Sequence, residues 1–122
     1  MSACIPSKLF DSTATIEDLK AIVNHFVEER SWKSFHSPKN LAMSISIEAA
    51  ELMEHFQWSH SDSTSSPVDH DSPIAQELSD VLAYSLALAN VLGIDLSRAL
   101  ESKMERNRQK YPVGVPFLPK GI

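Results

Sequence analysis

Apolar residues recur at three- and four-residue spacing through most of the chain, and long stretches lack both glycine and proline. That periodicity is the mark of amphipathic helices. The first helix is predicted from about Ile16 to Ser31, with an apolar set of Ile16, Leu19, Ile22, Val23, Phe26 and Val27. Thr15 stands at its N-cap and Asp18 at the capping-box position. A connector carrying Trp32, Phe35, His36 and Pro38, unusually aromatic for a loop, leads to a second helix over Lys39 to Trp58. A third should start near Pro73, a residue favoured in a first turn, and end at Gly93. Asp95 then caps a fourth that reaches about Lys110.

Between the second and third helices the chain reads SHSDSTSSPVDHDS, residues 59 to 72, too polar and serine-rich to join a core. Pro112, Pro116 and Pro119 break the tail, so residues 1–14 and 112–122 are expected to be irregular. The expectation is one all-α domain over residues 1–122, a four-helix subunit that assembles into a helical bundle with partner subunits. The third helix drives the last point. Val81, Leu82, Leu86, Leu88, Val91 and Leu92 point in several directions, more apolar surface than a lone four-helix subunit would cover.

Composition narrows the class. With 43% apolar and 22% charged residues, the 122-residue chain is that of an ordinary globular protein. Sixteen acidic against eleven basic residues give a formal charge of −5, which argues against a nonspecific grip on nucleic acid polymers. A phosphate ligand must be met locally or through a cation. The single cysteine, Cys4, allows no intramolecular disulfide and suits a reducing cytoplasm. Residues 1–11 contain no apolar stretch of signal-peptide length. The most apolar segment, Val81 to Ile94, is interrupted by Ser85 and Asn90 and falls short of the ~20 residues a membrane span needs.

The candidate chemistry lies in two acidic doublets, Glu48 with Glu51 and Glu77 with Asp80. Each is spaced i, i+3, which places both carboxylates on one helical face. One such pair is ordinary surface chemistry. Two on consecutive helices, one among Ile45, Ile47, Ala49, Ala50 and Leu52 and the other among Leu78, Val81 and Leu82, are not. Four converging carboxylates repel, and withdrawing them from water without a counter-charge is costly. Mg2+ answers this, since it takes oxygen ligands and commonly combines carboxylates with water and substrate phosphates. Glu54 extends the first doublet by a turn, as a further ligand or as an exposed group.

Four segments, EERSWKSFHSPKNL, EAAELMEHFQW, ELSDVLAY and SKMERNRQKYP, carry a resemblance to a known family. From about Glu28 to Val113 the sequence resembles the MazG-like all-α nucleoside triphosphate pyrophosphohydrolases, especially their dCTP pyrophosphatase branch. The resemblance implies Mg2+-dependent hydrolysis of a (deoxy)nucleoside triphosphate, such as dCTP or a related dNTP, to the monophosphate and pyrophosphate, with Mn2+ as a substitute ion. It makes Glu48, Glu51, Glu77 and Asp80 the metal ligands, one of which also orients or deprotonates the attacking water. It assigns Trp32, His36, Trp58 and Tyr84 to the nucleoside pocket, and Lys103, Asn107, Lys110 and Tyr111 to phosphate and sugar contacts. Lys110 stands where arginine is common, which exchanges a forked phosphate contact for a point charge. Family members form dimers or tetramers with composite sites, so a homo-oligomer is expected, a tetramer built from dimers above all.

Helical geometry adds to this reading. Trp58 lies seven residues beyond Glu51 and Tyr84 seven beyond Glu77, so each aromatic is expected on the face of its doublet. Lys103, Asn107 and Lys110 share a face from which Arg108 turns away, leaving Arg108 a structural or intersubunit role. His55 is expected to pack, since the matching family position is apolar, and His60 and His70 to be solvated. A dUTP or phosphoribosyl-ATP hydrolase would share the chemistry. A non-enzymatic helical docking module would need no magnesium. A carboxylate-bridged di-iron bundle needs Glu-x-x-His pairs, which are absent.

Overall fold

The computed structural model describes residues 8–59 and 66–116. Among them are four α-helices, one short 3-10 helix and no strand: α1 Ile16–Glu29, the 3-10 helix Lys33–Phe35, α2 Pro38–Glu54, α3 Pro73–Leu92 and α4 Leu96–Lys110. Cys4, His60, Pro119 and parts of the serine-rich segment and the two tails lie outside the described residues.

Local chemistry sets most helix ends. Thr15 accepts from the Asp18 backbone N–H while the Thr15 N–H donates to the Asp18 carboxylate, a complete capping box. Ser37, Ser72 and Asp95 cap α2, α3 and α4 by accepting from Asn40, Ala75 and Arg98 N–H groups, and proline follows Ser37 and Ser72 at the first helical position. α3 stops at Gly93, whose φ of 65° is the left-handed turn that glycine adopts without a Cβ clash.

Two predicted ends shift. α1 closes at Glu29 instead of Ser31, because Ser31 takes φ 55° and the N–H groups of Ser31 and Trp32 turn back to the carbonyls of Glu28 and Val27. This is the Schellman closure, made here with serine. α2 stops at Glu54, four residues before Trp58. His55 and Phe56 donate to carbonyls three residues back, at Leu52 and Met53, and Ser59 donates to Phe56, so the chain tightens into turns.

α2 packs along α3, and α1 crosses α3 toward its carboxyl end. Two long-range bonds fix that crossing: Asn90 Nδ2 donates to the Lys20 carbonyl at 3.1 Å, and Lys20 Nζ donates to the carbonyl of Ile94. Among the described residues the buried apolar ones are Val27, Leu41, Leu86, Ala87 and Ala89, a thin core centred on α3. Much else stays uncovered within one chain, including Met43, Ile47, Leu78, Leu82, Val91 and Leu92 on α2 and α3. α4 leaves α3 through a bend of 103° and makes few contacts, with Leu100 and Met104 exposed. Among the described residues no single helix is long and apolar enough to cross a membrane.

Candidate active site

The packing of α2 on α3 brings the two acidic doublets together. One oxygen from each of Glu48, Glu51 and Glu77 lies within 4.8 Å of the others, and the charge of Asp80 bears on both Glu48 and Glu77. Glu48 and Glu77 are half-buried, while Asp80 stands at the exposed edge.

The electrostatics follow from this crowding. Loss of water, then the hydrogen bond to Glu51 and the charges of Glu51, Asp80 and Glu77, push the Glu48 carboxyl up to about 7. Glu77 is raised too, again by desolvation first and then by Glu51 and Asp80. The Oε2 atoms of Glu48 and Glu77 are sealed from solvent and have no hydrogen-bond partner. A buried carboxylate oxygen without a donor is costly. A divalent cation with oxygen-ligand preference fits this donor set, since it would supply the missing partner and offset the repulsion at once.

Beside the carboxylates, the aromatic connector closes over α2 and α3 to form a cavity of about 290 Å3 lined by Trp32, Phe35, His36, Asn40, Leu41, Ser44 and Tyr84. Trp32 is held at its rim by a T-shaped contact with Phe26 at 5.6 Å, and Arg30 lies over that phenyl ring at 3.7 Å. Lys33 pairs with Glu28 at 2.8 Å and ties the connector back to α1. Of the four aromatic positions named from sequence, Trp32, His36 and Tyr84 meet here. Trp58 does not. Because α2 ends early, Trp58 sits on the following turn at 89% exposure and does not share the face of Glu51.

Lys103, Asn107, Lys110 and Tyr111 stand on or just past α4, away from the carboxylates of their own chain. Helix rise and the 103° bend put Asn107 roughly 20 Å from Asp80. Lys110 Nζ lies over the Tyr111 ring at 5.4 Å, and Arg108 pairs with Glu105 at 2.8 Å. His55, expected to pack, is exposed at the C-cap of α2, because the helix ends there and turns it outward. Glu54 is exposed, and His70 is solvated between Asp69 and Asp71. Asn40 and Ser44, both on the cavity wall, escaped the sequence reading. Their one available signal was the i, i+4 spacing that leads from Asn40 through Ser44 to Glu48 along a single face of α2.

The chain matches the MazG-like family over residues 43–115. It is 43% identical to dCTP pyrophosphatase 1 of Rattus norvegicus over 108 residues, covering 85% of this chain and 63% of that protein. It is 39% identical to dCTP pyrophosphatase 1 of Homo sapiens over 107 residues, covering 84% and 62%. The chain thus spans somewhat under two thirds of the length of these curated relatives. A crystal structure of a pyrophosphatase from Archaeoglobus fulgidus superposes with a TM-score of 0.70 at 39% identity, over 86% of this chain and 99% of that one. With a four-helix fold, the two doublets converging between α2 and α3 and more than half its residues matched, this chain belongs to the MazG-like family.

Proposed function

We propose that this chain is a single-domain nucleoside triphosphate pyrophosphohydrolase that cuts dCTP or a closely related dNTP between the α- and β-phosphates. The observation that carries the reading is the pair of sealed, partnerless carboxylate oxygens on Glu48 and Glu77, within a set of glutamates too crowded to be stable by itself. Glu48, Glu51, Glu77 and Asp80 would hold Mg2+, with Mn2+ acceptable to the same oxygens. When bound, the ion supplies charge neutralisation for the triphosphate and polarises the reacting phosphoryl group. The relatives named dCTP pyrophosphatase 1 support this substrate class.

The chain's own residues divide the remaining work. Trp32, His36 and Tyr84 offer flat surfaces on which a base stacks, with Tyr84 one turn beyond Asp80 and two beyond Glu77 along α3. A carboxylate of the cluster orients the attacking water or accepts its proton. Phosphoryl transfer asks for position and charge more than for a covalent nucleophile, so carboxylates and a cation suffice.

The phosphate-contacting set Lys103, Asn107, Lys110 and Tyr111 belongs, in this reading, to a neighbouring subunit's site. The stand-off of α4 and the uncovered apolar faces of α2 and α3 support a homo-oligomer, a dimer or a tetramer built from dimers. Pyrophosphate release across dCTP, the other dNTPs, dUTP, NTPs and phosphoribosyl-ATP tests the activity and names the base. Glu51→Gln and Asp80→Asn should abolish it, and near-normal turnover in either removes the assignment. A monomeric mass at micromolar concentration would remove the composite site.

A further inference from the structure

The cavity beside the carboxylates is lined by aromatic rings and Leu41 except at two polar positions on α2, Asn40 and Ser44, one turn apart. They differ in freedom. Asn40 Nδ2 donates to the carbonyl of Phe35 at 3.0 Å. A carbonyl can only accept, so this bond fixes which end of the carboxamide is nitrogen and which is oxygen. Asn40 Oδ1 is left without a protein donor among the described residues. The Ser44 hydroxyl has no protein partner among them either, and a free hydroxyl rotates to donate or to accept as its neighbour requires. Ser44 therefore adapts to whatever faces it, while Asn40 presents a set acceptor.

Pyrimidine bases differ at the corresponding edge. Cytosine carries an exocyclic amino donor at C4, whereas uracil and thymine carry a keto acceptor there. A fixed acceptor pairs with the first and opposes the second. We propose that Asn40 Oδ1 selects a 4-amino pyrimidine over a 4-keto pyrimidine, with Ser44 following the adjacent ring nitrogen in either case. The inference rests on the hydrolase reading above and specifies how that site chooses its base. Placement along the helix agrees: eight residues, ~12 Å of rise, separate Asn40 from Glu48, which leaves a base at one end and phosphates at the other. The bond to Phe35 gives Asn40 a second task, holding the 3-10 connector against α2, so the test must separate selection from anchoring.

The measurement is kcat/KM for dCTP and for dUTP with the full chain and its Asn40→Ala, Asn40→Asp and Ser44→Ala variants, each checked for helical content by circular dichroism. Wild type should favour dCTP. Asn40 is exposed in the free chain, so Asn40→Ala should lose that preference by ~tenfold or more only through the amino group that the bound base would bury unpaired. Asn40→Asp gives up the donor to Phe35 but keeps an acceptor toward the base, so it should retain more of the dCTP preference than Asn40→Ala even if both rates fall. Ser44→Ala should change both substrates by a similar factor. If Asn40→Ala lowers both rates equally and leaves the ratio intact, or if Asn40→Asp discriminates no better than Asn40→Ala, Asn40 merely holds the connector and the inference is overturned. A wild type that releases pyrophosphate but does not discriminate overturns it as well. A wild type that hydrolyses no nucleotide at all sinks the hydrolase reading instead.

Discussion

Replacing Glu48 with glutamine keeps the shape of the side chain and removes one charge from the cluster. In the metal-free protein at pH 8 the Glu48 carboxylate is ionised against its tendency, since crowding and lost water have moved it from 4.5 to about 7. Taken whole, that displacement corresponds to ~3 kcal/mol of cost in the folded state. The cluster opens to solvent at the Asp80 edge, which screens the repulsion, so a gain of ~1 kcal/mol on substitution is the working figure. For a domain of this size that is a rise of about 4 °C in midpoint. Magnesium should act in the opposite sense. Wild type in Mg2+ at a hundred times its dissociation constant should gain ~2.7 kcal/mol, and Glu48→Gln should lose most of that gain. Thermal unfolding at fixed protein concentration, with and without Mg2+, reads both effects. A Glu48→Gln protein less stable than wild type without metal, or a wild type indifferent to Mg2+, would refute the view that these carboxylates are held in mutual repulsion awaiting a cation.

Lowering the pH should stabilise the metal-free wild type: the folded state takes up protons below about 7 that the unfolded chain takes up only near 4.5, so stability grows as pH falls through that window and is lost as it rises. Melting curves from pH 8 to pH 5 should show this rise, smaller in Glu48→Gln and with Glu77 supplying the remainder; a midpoint that falls steadily over the range would contradict it. Leu41 is 1% exposed between α2, the connector and α3, and Leu41→Ala should cost ~2 to 5 kcal/mol in urea unfolding, with a loss below 1 kcal/mol counting against its place in the core. Tyr84→Ala should raise KM for dCTP by about tenfold or more by removing a stacking surface, with a smaller effect on kcat, and an unchanged KM would take Tyr84 out of the pocket.

Much of the architecture was legible because it is written in local chemistry. The Thr15 and Asp18 capping box, Pro73, Gly93 and Asp95 each act on their own helix end, and each end falls where those residues place it. The i, i+3 doublets were legible for the same reason, since one helical turn aligns them before any packing is known. The end of α2 was not. Phe56 and Trp58 continue the apolar pattern, and neither glycine nor proline intervenes before Pro67, so nothing local announces the stop. The turns that end it are made by backbone bonds among residues 52–59. Periodicity also finds α4 without fixing its direction, which comes from the left-handed Gly93 and the lock of Lys20 on the Ile94 carbonyl. Asn40 and Ser44 are ordinary polar residues of the first two turns of α2 until the connector folds beside them.

The closure of α1 by Ser31 and the cap of α2 by Ser37 bracket the aromatic connector at its two ends, while Asn40 and the acidic residues ride on α2 and α3 themselves. In the reading proposed above, one wall of the base pocket is then a short strap tied down at both ends, and the other walls belong to the same paired rods that carry the carboxylates. Insertions or exchanges between Arg30 and Pro38 would reshape that one wall while Asn40 and the carboxylates keep their helical spacing, a division that would let one scaffold diversify its diet without relearning its reaction.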